Sequence, residues 1–185
     1  LEEVVSGLRD AQGSSTRSSV EFLFTCLGDD RILDWQQLGD LNGLGVPRSN
    51  GSYRVGDLAV DRMIEIGPAA LRYVHAELAA FAARRDPRTP WTSREVSFLS
   101  DTLRPLFKVC ERKFGEIQVV AESEDTVQKG LKTVTIRYTV ALGYVHKAPA
   151  FFGTASGDRR LVLAPENLKP FIDDLLESAL HVPRD

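Results

Sequence analysis

The chain has 185 residues, 43% of them hydrophobic and 26% charged, which is the composition of a globular protein and excludes extended disorder. With 23 Lys and Arg against 26 Asp and Glu its formal net charge is -3, so it has no general field for phosphate backbones or anionic lipid. No apolar run approaches the roughly 20 residues needed to span a bilayer, and Cys26 and Cys110 have neither CxxC nor Cys/His metal spacing.

Taken in chain order, Leu1, Val4, Val5, Leu8 and Ala11 recur at helical spacing and predict a first amphipathic helix ended by Gly13. The Ser-rich stretch that follows lacks the GxxxxGK[ST] arrangement of a phosphate loop and reads as a linker, with Ser18 and Ser19 as helix caps. Residues 19–28 are dense in apolar groups and predict a buried helix stopped at Gly28-Asp29-Asp30, where the paired acids read as caps. Residues 31–45 are interrupted by Gly39, Gly43 and Gly45 and predict helix only in part. The first residue is Leu and not Met, which reads as a processed product or a piece of something longer.

From Arg54 the pattern sharpens. Val55, Leu58, Ala59, Met63, Ile64 and Ile66 form one apolar side, and Gly67-Pro68 ends this helix and opens a second, alanine-rich one through Arg84. Asp57, Asp61 and Glu65 repeat every fourth residue beside Arg54 and Arg62 and read as a solvated, partly paired face, not a cation site. The segment VGDLAVDRMIEIGPAALRYVHAEL resembles a HEAT-type helical hairpin, in which an apolar helix turns at Gly-Pro into an alanine-rich partner. The resemblance covers about 30 residues, too few units for an extended solenoid, and it implies a scaffold or protein-binding surface.

The polar connector RRDPRTPWTSRE comes next. Thr92 and Glu95 form a T-x-x-E capping box that opens a helix over 93–114, with Trp91 placed as its staple and Pro105 expected to kink or split it. After Gly115 the period changes from 3.6 to 2. Ile117, Val119 and Ala121 alternate with polar or smaller neighbours, and so do Val134, Ile136, Tyr138, Val140, Leu142 and Tyr144, predicting two strands. Residues 150–154 and 159–163 read as shorter strands around a Ser156-Gly157-Asp158 turn, and a last helix carries Leu168, Phe171, Ile172, Leu175, Leu176 and Ala179 inward. The expected fold is α+β: a helical HEAT-like part over 1–90, then a long helix, a small antiparallel sheet and a closing helix over 91–185.

Residue patterns that carry chemistry are few. His75, His146 and His181 are scattered, and HExxH, GxSxG and GxGxxG after a strand are all missing from the sequence, so no catalytic residue, metal site or cofactor is assigned. The two cysteines read as small buried hydrophobes. Partner-binding candidates are Arg84, Arg85 and Arg88 with Trp91 in the basic connector, and the Phe151-Phe152 pair, one ring of which an alternating strand would expose. A competing ligand-sensing or enzymatic reading would line a pocket between helices and sheet with Arg137, Tyr138, Tyr144 and His146. A third would put single-stranded nucleic acid on the connector, against the acidic balance of the chain. The favoured expectation is a non-catalytic interaction module in the cytoplasm whose partner is another protein or a second copy of itself.

Overall fold

The computed structural model describes residues 1–12, 14–34, 37, 39, 41, 53–114, 117–122, 133–140, 157–163 and 167–180, with the backbone alone described at 110–114, at 178 and in the three strands between 117 and 163. The chain forms two compact units, Leu1–Ala70 and Leu71–Asp185. Their mixture of helices and antiparallel strands makes the fold α+β. None of the described helices is long and apolar enough to cross a membrane.

In the first unit, α1 (Glu2–Asp10) buries Val5 and Leu8 and leaves Leu1 exposed. Gly7 lies under the ring of Phe22 on α2 (Arg17–Cys26), so close that a Cβ there would stand 2.3 Å from Phe22 Cζ. The cap of α2 is Thr16, not Ser18 or Ser19. Its hydroxyl accepts the Ser19 N–H at 3.3 Å, and Ser14, Ser18 and Ser19 join it in a cluster of hydroxyl hydrogen bonds. The helix therefore starts two residues earlier than the apolar pattern indicates, because a cap is chosen by backbone geometry and the pattern marks only the buried face.

A two-stranded antiparallel ribbon follows, β1 (Ile32–Leu33) against β2 (Tyr53–Arg54), with Leu33 buried and Ile32 exposed. This ribbon solves a local problem for α3 (Val55–Ile66). The first N–H groups of a helix lack intrahelical acceptors, and Arg54 at the N-cap offers no side-chain bond. Instead Val55 N donates to Arg31 O at 3.0 Å and Gly56 N to Asp29 O at 2.9 Å. Asp29 is held in turn by Arg31, whose backbone N–H and guanidinium both bond its carboxylate, while Asp30 pairs with Arg54 at 2.9 Å. α3 packs chiefly on α2 and also on α1, placing Leu58, Ala59 and Met63 with Leu8 and Leu23 in the core. Burying each such leucine stabilises by about 1.5–3 kcal/mol. Arg62 departs from the expected surface role: its side chain is 6% exposed and pairs with Glu65. Burial pushes the guanidinium down, against the pull of Glu65 and Asp61. Gly67 closes α3 at φ 79°, a conformation that side-chain-bearing residues adopt at a cost.

The second unit takes most of α4 (Pro68–Arg84), which buries Leu71, Val74 and Leu78. α5 (Ser93–Phe114) spans the expected residues and runs through Pro105 without being split; the proline gives no N–H to the helix ladder. Leu99, Leu103, Leu106 and Phe107 form its buried stripe. Phe81 meets Phe98 at 4.9 Å between ring centroids, joining α4 to α5, and Phe107 meets Phe171 edge-on at 6.3 Å, joining α5 to α6 (Leu168–Leu180). The sheet is β3 (Ile117–Glu122), β4 (Thr133–Val140) and β5 (Gly157–Leu163) in that order, antiparallel throughout, with Val119, Ile136 and Leu161 in register. α5 contacts β3 and β4. Gly157 and Asp158, expected in a turn, pair with Val140 and Thr139, so the alternation that predicts a strand only from Arg159 understates β5. The expected strand at 150–154 lies outside the described residues.

The sequence divides the chain near residue 90, whereas the compact units divide between 70 and 71. The reason is local to the second unit. Residues 85–92 look like a linker by composition, but they are tied to α5 by the side chains described next.

Candidate functional site

Residues 84–95 contain four arginines and two acids in a chain whose net charge is -3. The structure separates these arginines into two roles. Arg85 is turned inward, its side chain only 4% exposed. Its Nη1 donates to Asp86 O at 3.1 Å and its Nη2 to Thr89 O at 2.7 Å. Its Cζ lies 3.9 Å from the centroid of the Trp91 ring, and Nε is 3.1 Å from Glu95 Oε1. Nε makes no directed hydrogen bond, so the pairing with Glu95 is coulombic. One guanidinium thus fixes two connector carbonyls, covers an indole and neutralises a carboxylate.

Glu95 uses its other oxygen for the helix start. Oε2 accepts from Thr92 N at 2.7 Å and Thr92 Oγ1 at 2.9 Å, while Thr92 Oγ1 receives Glu95 N at 3.2 Å. This is the capping box expected from T-x-x-E. The connector is closed further by Asp86, whose Oδ1 takes Arg88 N at 2.9 Å and whose carbonyl takes Thr89 Oγ1 at 2.9 Å and Thr89 N at 3.2 Å. A buried charge pair of this kind resists disruption, because removing one partner leaves the other uncompensated.

Arg84, Arg88 and Arg94 face outward, and among the described residues none of their guanidinium groups makes a hydrogen bond or ion pair. Several surface arginines elsewhere are paired, Arg17 with Glu21, Arg31 with Asp29 and Arg54 with Asp30, while exposed Arg72 stands alone and not in a cluster. Arg94 also sits in the first turn of α5, where the helix dipole disfavours a cation. Local stability therefore does not account for its presence. Pro87, Thr89 and Pro90 are exposed between these arginines.

Of the partner-binding residues expected from sequence, Arg84 and Arg88 are exposed on this face, while Arg85 and Trp91 lie beneath it. Trp91 is 1% exposed, and its Nε1 is buried without a hydrogen-bond partner. It has no surface to offer a base or a protein; its ring serves as the floor on which Arg85 rests. Arg94, which the sequence places in the same basic cluster and in the nucleic-acid reading of the connector, is exposed beside Arg84 and Arg88. Phe151, Phe152, Tyr144 and His146 lie outside the described residues. Arg137 and Tyr138 are in the central strand β4, in register with Arg160 and Arg159 of β5.

A second cluster joins α4 to α6. His75 Nε2 and Asp173 Oδ1 are 2.7 Å apart, and Asp173 Oδ2 accepts from Lys169 at 2.9 Å. Burial pushes the Asp173 carboxyl up, but the bonds and charges of Lys169 and His75 outweigh it, and the group is held below its usual range. A histidine–carboxylate pair can relay a proton, yet among the described residues no three metal-ligating side chains converge here or elsewhere. Cys26 is a free buried thiol, pushed up chiefly by burial and thus a poor nucleophile.

Comparison with protein-family models, with curated proteins and with solved structures finds no match to this chain.

Proposed function

We propose that this chain is a non-catalytic protein-interaction module, with a HEAT-like hairpin in its central helices, that binds its partner through the connector face bearing Arg84, Arg88 and Arg94. The observation that supports this reading is the contrast within one short stretch: exposed arginines without partners sit on a backbone held by a buried arginine. A binding loop that is already ordered loses little conformational entropy on association, so its contacts are expressed as affinity. Arginine suits the role, since its planar fork holds carboxylates in two parallel hydrogen bonds.

The test is affinity capture from a lysate with the wild-type chain and with the variant R84E/R88E/R94E. All three residues are exposed, so the variant is expected to keep the wild-type far-UV circular dichroism. The reading requires a protein retained by the wild type and lost by the variant. Identical sets of retained proteins would rule out this face.

A further inference from the structure

We propose that the occupant of the connector face is an acidic peptide segment, rich in Asp and Glu, and not a nucleic acid; this rests on the interaction reading above and names the chemistry of its partner. Arginine forks accept carboxylates and phosphates alike, so the choice between them comes from what surrounds Arg84, Arg88 and Arg94. Proteins that hold single strands pair a basic groove with aromatic rings on which bases stack. The aromatic ring of this stretch, Trp91, is 1% exposed and covered by Arg85 at 3.9 Å. Phosphates also favour the free N–H groups of a helix N-terminus. At α5 the Glu95 carboxylate already stands at that position, accepting the Thr92 N–H, and its negative charge disfavours a phosphate there.

Charge distribution points the same way. Nucleic acid carries one negative charge about every 1.7 Å of duplex and extends far beyond a patch of three arginines. A chain with 26 acids and 23 bases repels such a polymer outside the patch. A short acidic segment places its charge only where the arginines are. Its carboxylates also match an anion that an arginine of this stretch already pairs with, since Arg85 lies against Glu95. The exposed prolines Pro87 and Pro90 give the peptide a surface without backbone donors, leaving the arginine side chains to supply recognition.

The experiment is fluorescence anisotropy on the full chain with two labelled probes of equal length and net charge, a Glu/Asp/Gly peptide and a single-stranded oligodeoxynucleotide, each at low and moderate salt. The peptide is expected to bind with an affinity that falls as salt rises, and more tightly than the oligonucleotide. R84E/R88E/R94E should weaken peptide binding by about tenfold or more, as three exposed ion pairs of ordinary strength would. The control R17E/R54E reverses exposed arginines elsewhere and should leave binding unchanged. Should the reversed variant fold poorly, R84Q/R88Q/R94Q must still weaken the peptide. Tighter binding of the oligonucleotide, no binding of either probe, or equal loss with the control would overturn the assignment. If the peptide fails while lysate capture still depends on the three arginines, the acidic segment is refuted and the interaction reading stands.

Discussion

Replacing Arg85 by methionine keeps the length and apolar stem of the side chain and removes its guanidinium. The connector would lose the bonds to Asp86 O and Thr89 O, Trp91 would lose its cover, and Glu95 would lose its cation. Loss of one member of a buried ion pair costs about 3–5 kcal/mol. Glu95 is 22% exposed and water reaches it in the variant, which places the expected loss near the lower figure, at about 3 kcal/mol. The stacking over Trp91 accounts for about 0.5–2 kcal/mol of that. Arg85→Lys keeps the charge but cannot reach two carbonyls with a planar fork, so it should fall between wild type and methionine. Urea unfolding in a Trp35→Phe background, which leaves Trp91 as the one indole, reports on the unit concerned. Amide exchange in 86–92 should rise in step. A loss under about 1 kcal/mol with unchanged exchange would refute the clamp, because exposed pairs reach only that value.

Gly7→Ala should gain up to about 1 kcal/mol in helix propensity yet destabilise overall by about 1–3 kcal/mol, since three Phe22 ring atoms lie within 2.8 Å of the new Cβ and the ring must move. In the Phe22→Ala background the same change should become neutral or stabilising, which a double-mutant cycle in urea checks. Asp173 is held below its usual value of 3.8, so the unfolded chain binds more protons than the folded one between the folded value and about 4. The stability it contributes is therefore complete above that window and lost as pH falls through it, and Asp173→Asn should flatten this part of the acid-unfolding curve. Cys26 should react slowly with a thiol reagent in the native state and quickly in denaturant, with its native rate following local opening.

The parts of the fold that are legible in the sequence are those where one local rule decides the outcome. Thr92 and Glu95 announce the start of α5, and a stripe from Leu99 to Phe107 sustains it past Pro105, because the buried contacts of two turns outweigh one missing donor. Alternation identifies β3 and β4 in the same way. The ribbon of Ile32–Leu33 with Tyr53–Arg54 is invisible by these means: strands of 2 residues have no period, and their role is to give carbonyls to Val55 and Gly56. Long cations are the other blind spot. Arg62 and Arg85 read as surface residues in any composition rule, and both are buried because a nearby glutamate and, for Arg85, an indole receive them. His75 and Asp173 are 98 residues apart, a distance no local pattern bridges.

For the candidate site, the sequence locates the basic connector but assigns Arg84, Arg85, Arg88 and Trp91 a single role. Packing divides them into a supporting layer and an exposed one, and Arg94 of the same basic cluster belongs to the latter. The HEAT-like resemblance implies protein binding, which is what is proposed for the connector face, and only the connector face names residues that can be reversed in charge without touching the core.

The most direct measurement is the comparison of proteins captured by the wild type and by R84E/R88E/R94E, with the circular dichroism of the two chains matched. A partner held by the first and absent from the second is the expected result. A partner held equally by both would contradict the assignment of this face, and turnover of a substrate lost on His75→Ala would contradict the non-catalytic reading itself.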